Sequence, residues 1–234
     1  MIKTVFITGA DEGLGFSLAG RFLQEGAHVF AGQYHADSGL SSLAGSFPQK
    51  FTAIPLDVTQ LDSVRQAASR VAELIPALDV LINNAGVMLE TRTPLPELDL
   101  AHLPLLATLD VNTFGPLRVV QQFLPLLEKG ARKLIINVSS EAGSITNCWR
   151  ESEFAYSMSK AALNMQSKIL QNYLKPRGFK ILAVHPGWMR TDMGGAGADI
   201  DADEAAEGIF HLAAKDWHPD DAIYMDYRGQ PLPW

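Results

Sequence analysis

The chain has 234 residues, with 26 acidic against 19 basic for a formal charge of -7, and 47% of its residues are hydrophobic. That length and apolar content suit one domain over residues 1–234 and exclude disordered, collagen-like and coiled-coil readings. The acidic balance argues against a nucleic-acid partner, which needs concentrated basic charge. The single Cys148 excludes a disulfide framework and any zinc site built on several cysteines, so no metal is expected.

In chain order, β-rich runs alternate with helix-like ones. Strands are predicted over 5–7, 28–31, 51–54, 79–82, 133–138, 180–184 and 222–225. Between them, helices are predicted over 14–25, 62–74, 103–127, 155–174 and 202–214. In the second of these, Val64, Ala67, Ala68, Val71 and Leu74 recur near the helical period. Pro116 interrupts the third and predicts either a kink or a boundary between two helices. The runs Val80-Leu-Ile82, Leu134-Ile-Ile136 and Ile181-Leu-Ala-Val184 are apolar throughout, as in strands covered on both faces. Repeated strand–helix units of this kind predict an α/β fold with a mostly parallel sheet and right-handed crossovers. No basic segment leads into a long apolar one, so neither a signal peptide nor a spanning helix is expected, and the cytoplasm is the expected location.

The first strand runs into Thr8-Gly9-Ala10-Asp11-Glu12-Gly13-Leu14-Gly15, with glycines at spacings of four and two. Placed between a strand and a helix, such a turn lets the backbone approach a phosphate while the helix N-terminus offers free N–H groups and positive potential. The spacing differs from the common dinucleotide fingerprint.

Further motifs follow at strand ends: Asn83-Asn84-Ala85-Gly86, Asn112 in Asp110-Val-Asn-Thr-Phe-Gly115, Ser139-Ser140-Glu141-Ala142-Gly143, Tyr156-Ser-Met-Ser-Lys160, and Pro186-Gly187 with Thr191. With the glycine turn, this ordered set resembles the short-chain dehydrogenase/reductase family over nearly the whole chain. The segments Gly143-Ser-Ile145, His185-Pro-Gly-Trp188 and Tyr227-Arg-Gly-Gln-Pro-Leu-Pro-Trp234 narrow the resemblance to the carbonyl-reductase branch that includes sniffer and the bacterial C-factor. The resemblance implies a single Rossmann-like, doubly wound sheet of about seven strands with helices on both faces. It also implies an oxidoreductase that transfers hydride between NAD or NADP and a carbonyl or alcohol.

By the same resemblance, Tyr156 is the proton donor or acceptor, Lys160 tunes it and binds a ribose hydroxyl, Ser140 hydrogen-bonds the substrate oxygen, and Asn112 holds a water linking Lys160 to solvent. Tyr156 and Lys160, four apart on a helix, share one face. An ordinary phenol has a pKa of about 10, and a nearby ammonium with an oxidised nicotinamide should bring it toward the working pH. The family pattern selects Ser140 over Ser139, and alternate strand residues face opposite ways. Cofactor contacts are expected from Gly9, Gly13, Leu14 and Gly15 at the pyrophosphate, from Asp57 and Val58 at the adenine, and from Asn84, Ala85 and Gly86 in the cleft. Tyr156 and Lys160 join them, with Pro186, Gly187 and Thr191 near the carboxamide.

Neither usual determinant of cofactor choice is present: Glu12 stands where a base would greet the NADP phosphate, and Gln33 where an acid would bind the NAD ribose. The expectation leans slightly to NAD. Met88, Leu89, Trp149, Phe154, Trp188 and Met189 are candidate walls for a hydrophobic ketone, aldehyde or quinone. A non-catalytic dinucleotide-binding regulator is the alternative function, and monomer and homo-oligomer both stay open.

Overall fold

The apolar runs become the strands of one sheet in a computed structural model that describes residues 2–36, 39–90, 92–191 and 193–234. They are β1 (Thr4–Ile7), β2 (His28–Gln33), β3 (Phe51–Pro55), β4 (Val80–Asn83), β5 (Leu134–Val138), β6 (Lys180–His185) and β7 (Tyr224–Asp226). Their order is β3-β2-β1-β4-β5-β6-β7, and every pairing is parallel. The helices are α1 (Gly13–Gln24), α2 (Leu40–Ser46), α3 (Leu61–Leu74), α4 (Leu105–Leu109), α5 (Gly115–Leu127), α6 (Phe154–Leu174) and α7 (Ala202–Ala214). The result is a single Rossmann-like α/β domain with helices on both faces. Among the described residues no helix is long and apolar enough to cross a membrane.

Successive strand residues point to opposite faces, so the two faces bury two cores. Val5, Ile7, Val29, Ile82, Ile136 and Val184 meet Leu18 and Phe22 of α1 and Ile209 of α7. Phe6, Phe30, Leu81, Ile135 and Ile181 meet Val64 and Val71 of α3, Phe123 of α5 and Leu170 of α6. This double burial is why the strand sequences lack polar alternation.

Two local features differ from the sequence expectations. The segment Leu40–Ser46 is helical, where no element was predicted; Leu40 holds it by burying against the α1 side of the core. The region around Pro116 is neither a plain kink nor a boundary. Helices α4 and α5 join through a π-helical turn, Asp110–Phe114, which widens the helix by one residue. A proline ring crowds the carbonyl four residues back, here that of Asn112, and the wider turn displaces it. Gly115 completes the fit, because a methyl group there would lie 2.9 Å from Val58 Cγ2.

Polar groups also cross the buried layer. Asn83 Nδ2 donates to Asn137 Oδ1 at 2.8 Å, and Asn137 Nδ2 donates to Ser167 Oγ at 2.8 Å, tying β4, β5 and α6 together. Removing one partner of such a bond strands the others in a dry environment. Asn137→Ala should lower the unfolding free energy by about 1–3 kcal/mol, measured by urea denaturation.

Candidate active site

The chain leaves β1 toward β2 on one side and reaches β4, then β5, on the other, so a crevice opens beyond the C-terminal ends of β1 and β4. The glycine turn occupies it. Gly9 and Gly13 hold φ of +58° and +50°, in the left-handed region. A methyl group at Gly15 would lie 1.9 Å from the Gly9 carbonyl oxygen, and one at Gly9 would lie 2.9 Å from Ala85 Cα. Asn84 braces this approach by donating from Nδ2 to the Thr8 and Gly9 carbonyls at 3.0 and 2.8 Å. The Thr8 hydroxyl accepts the Asn84 and Ala85 amides, both at 3.0 Å. Asn84 and Ala85 therefore shape the turn.

No side chain caps the start of α1, and its first turn holds no acid. The open amides at Gly13–Gly15 fit a pyrophosphate, which needs N–H donors and positive potential. Thr191 approaches from across the crevice, its Cγ2 3.5 Å from where a Gly13 methyl would stand. Gly187 holds φ +87° and packs against Ile200 and Tyr227, which sets the turn that carries Pro186 and Thr191. Asp57 spends Oδ1 on the Thr59 amide and hydroxyl, at 2.9 and 2.7 Å. Val58 packs on Gly115.

The second half of the site is organised by α6. Lys160 is buried, and among the described residues its ammonium makes one hydrogen bond, to the Val138 carbonyl at 2.9 Å. Burial lowers it to about 8. It faces the space beside Gly86, 3.5 Å from where a methyl there would stand, and lies 5.7 Å from the centre of the Tyr156 ring. Both polar atoms of the Asn112 side chain are engaged: Oδ1 accepts the Val87 amide at 2.8 Å, and Nδ2 donates to the Val87 carbonyl and Ser159 Oγ at 2.9 and 3.0 Å. Asn112 thereby anchors the strand-end loop to α6.

The two adjacent serines part ways. Ser139 Oγ turns into the interior to Asn164 Oδ1 at 2.6 Å, while Ser140 Oγ stays at the strand end, accepting the Ala142 amide at 3.1 Å. Burial, opposed by Ser140, raises the phenol above its ordinary value; Glu141 adds to the rise and Arg150 subtracts from it. In the chain itself burial thus outweighs the lowering expected from a neighbouring ammonium, and the phenol stays protonated near neutrality.

Several residues here were not anticipated. Glu141 accepts the Ser140 hydroxyl at 2.7 Å and pairs with Arg150. Arg150 pairs also with buried Glu153, which holds a left-handed φ of +62° at the start of α6. The Glu90 carboxylate accepts the Tyr156 amide at 2.6 Å, favourable at a helix N-terminus. Asp11, inside the glycine turn, accepts the Tyr34 and His35 amides at 3.1 and 2.8 Å. Of these, only the spacing of Arg150 and Glu153, three apart, carried any signal in the sequence. Among the wall candidates, Trp149 and Trp188 are exposed, whereas Met189 packs against the α1-side core and bridges to Ile200.

The family model for short chain dehydrogenase matches residues 3–200. The C-signal of Myxococcus xanthus is 38% identical over 157 residues, covering 67% of this chain and 93% of its own. The carbonyl reductase sniffer of D. melanogaster superposes with a TM-score of 0.93 at 29% identity, covering 100% of both chains. The NADPH-bound carbonyl reductase from chicken fatty liver gives 0.90 at 30% identity, covering 100% of this chain and 99% of its own.

Lys160 also makes a stability prediction. Its pKa falls from 10.5 to about 8 on folding, so the unfolded chain binds more protons between those values and stability rises with pH there. Lys160→Met should be more stable than the parent at neutral pH by about 1–3 kcal/mol. Chemical denaturation at several pH values should show that advantage shrinking from about 8 toward 10.5.

Proposed function

The chain belongs to the short-chain dehydrogenase family and is an NAD(P)-dependent oxidoreductase acting on a small carbonyl or alcohol; from that premise we propose that it reduces a hydrophobic ketone, aldehyde or quinone with Tyr156 as the proton donor. The supporting observation is the convergence of three groups from two elements: Ser140 beyond the end of β5, whose hydroxyl favours the ionised Tyr156 phenol, and Tyr156 and Lys160 on α6, with the Lys160 ammonium 5.7 Å from the ring. The crevice beside them fits a dinucleotide. When bound, that cofactor supplies the hydride to the carbonyl carbon.

The chain's own residues handle position and protons. Amides of Gly13, Leu14 and Gly15 hold the pyrophosphate, and Lys160 turns its remaining N–H groups to the ribose hydroxyls. Gly86 would keep that approach open, Asp57 and Val58 would border the adenine end, and Pro186, Gly187 and Thr191 would hold the carboxamide. Ser140 donates to the substrate oxygen, and Tyr156 gives that oxygen its proton. A phenol held above its ordinary value is mostly protonated near neutrality, the form a proton donor needs. Asn112 fixes Val87 and Ser159, and it holds the water that links Lys160 to solvent. Met88, Leu89, Trp149, Phe154 and Trp188 supply apolar walls, which favour an aromatic or aliphatic carbonyl over a sugar or a charged acid. The exposed, unpaired Cys148 fits a reducing compartment, the cytoplasm.

The preferred cofactor is NAD. Asp11 and Glu12 stand with residues 33–36 at the ribose end, and neither segment carries Lys or Arg to meet the NADP phosphate. Fluorescence titration should give a lower dissociation constant for NADH than for NADPH, and the reverse order rejects the preference.

Tyr156→Phe should cut carbonyl reduction by about 10²–10⁴-fold while leaving dinucleotide binding in place, followed through the absorbance of the reduced nicotinamide across a carbonyl panel. Undiminished turnover would overturn the role of Tyr156. Dinucleotide binding without turnover by the parent protein would favour a regulator.

A further inference from the structure

We propose that Trp234 is a positioning residue for carbonyl reduction: with the rest of segment 231–234 it clamps the loop between Ser140 and α6, and through Tyr224 it fixes the Ser140 backbone. The proposal rests on the reading of Ser140 as donor to the substrate oxygen and deepens it.

The sequence after β7 brings the segment there. Gly229, at φ +83°, turns the chain sharply. The Gly229 amide donates to the Asp226 carbonyl at 2.9 Å, and the Asp226 amide donates to the Gln230 carbonyl at 3.0 Å. The chain then returns antiparallel to β7, bridging Pro231 to Met225, and the Leu232 amide donates to the Tyr224 carbonyl at 3.0 Å. Proline fixes φ at about −65° and has no amide hydrogen, so Pro231 and Pro233 make this return run stiff. It covers β7, the edge strand of the sheet.

Two contacts lead from the segment to the site. Trp234 lays its ring on that of Tyr224, with centroids 5.1 Å apart and planes inclined by 21°. Tyr224 is buried, and its hydroxyl donates to the Ser140 carbonyl at 2.8 Å. Burial pushes that phenol up to about 12, so it remains a donor near neutrality. The second contact is made by backbone oxygens. The Thr146 amide donates to the Trp234 oxygen at 2.7 Å. Ser144 Oγ donates to the Pro233 carbonyl at 2.7 Å, with the Trp234 oxygen at 3.3 Å, and accepts the Asn147 amide at 3.1 Å.

Residues 145–149 are all exposed, so apolar burial does not hold them and these hydrogen bonds do. The far half of the loop, from Trp149 to Glu153, lines with Arg92 a cavity of about 330 Å³. Glu153 stands three residues before Tyr156. Anchoring the near half of the loop therefore sets where an apolar substrate meets Trp149, while Tyr224 sets where its oxygen meets Ser140. Trp234 is itself 43% exposed, so its ring acts as a plate over Tyr224 and can be removed without opening either core.

The test compares the parent with Trp234→Ala, Trp234→Phe, Tyr224→Phe and Ser144→Ala, using benzil and menadione as probe substrates. Trp234→Ala should lower kcat/KM by about 10- to 100-fold while the dinucleotide dissociation constant stays at the parental value. Trp234→Phe, which keeps a ring on Tyr224, should recover most of the loss. Tyr224→Phe removes the hydroxyl from the Ser140 carbonyl and should act mainly on kcat. Ser144→Ala loosens the loop and should act mainly on KM. Hydrogen exchange read by mass spectrometry should quicken over residues 144–149 in Trp234→Ala and Ser144→Ala, and stay unchanged over β1 and α1. Parental kcat/KM in Trp234→Ala, or parental exchange in its loop, would overturn the positioning role, as would exchange that quickens along the whole chain. Should Trp234→Ala fail to fold, Tyr224→Phe and Ser144→Ala decide the matter, and parental kcat and KM in both would overturn it. A parent without turnover would instead overturn the underlying reading of the site, with exchange alone then deciding whether segment 231–234 holds the loop.

Discussion

The site depends on how closely α6 docks against the end of β5. A methyl group at Gly143 would lie 2.8 Å from the backbone carbon and oxygen of Lys160. Glycine there lets the strand-end turn sit directly on the helix. Ser139 and Asn164 lock the same contact from the interior, and Asn164 Nδ2 donates to the Gly143 carbonyl at 3.1 Å. From the other side, the π turn delivers Asn112 to Ser159 and Thr113 Oγ1 to the Ser159 carbonyl at 3.0 Å. With α6 clamped at both flanks, Tyr156 and Lys160 have little freedom. Interactions of this kind keep reacting groups in place without reorganisation during the reaction.

That rigidity explains a cost. Burying an ammonium without a carboxylate is unfavourable, and Lys160 has only a carbonyl partner among the described residues. The surrounding polar clamp supports it, so the chain carries a destabilised cation that becomes useful where a ligand brings hydroxyl acceptors. The phenol is in the complementary state. Burial holds its proton on, while Ser140 and the cation cluster at Arg150 pull the other way. Two groups with pKa values displaced apart, one lowered by loss of a cation's hydration and one raised by loss of an anion's, are a signature of acid–base work.

The fold was legible because its causes are local and repeated. Apolar runs three or four residues long alternate with helical periodicity, and a covered parallel sheet accommodates that pattern. The glycine turn was legible for a related reason: Gly9, Gly13 and Gly15 are each required by backbone geometry, so their spacing is visible in one dimension. The π turn was not. Pro116 announced an irregularity, but whether the helix kinks, stops or widens depends on Val58 packing against Gly115 from a loop some sixty positions away. Helix α2 was missed because its stability comes from Leu40 docking on the core and not from its own serines and glycine.

The charged surround of the phenol was hidden for a stronger reason. Glu90, Glu141, Arg150, Glu153 and His185 come from four loops or strand ends, and apart from the three-residue step between Arg150 and Glu153 no spacing relates them. Their effect is also collective: Arg150 alone would lower the phenol and Glu141 alone would raise it, and both act on a phenol that burial has already raised. The left-handed backbone at Glu153 is a conformation that costs about 1–3 kcal/mol in a non-glycine residue. It is held by the pairing of its buried carboxylate to Arg150 and Arg92. That strained start of α6 lies three residues before Tyr156, so the ion network that sets the charge around the phenol is the same one that fixes where the helix begins. Position and acidity at Tyr156 therefore share one physical origin.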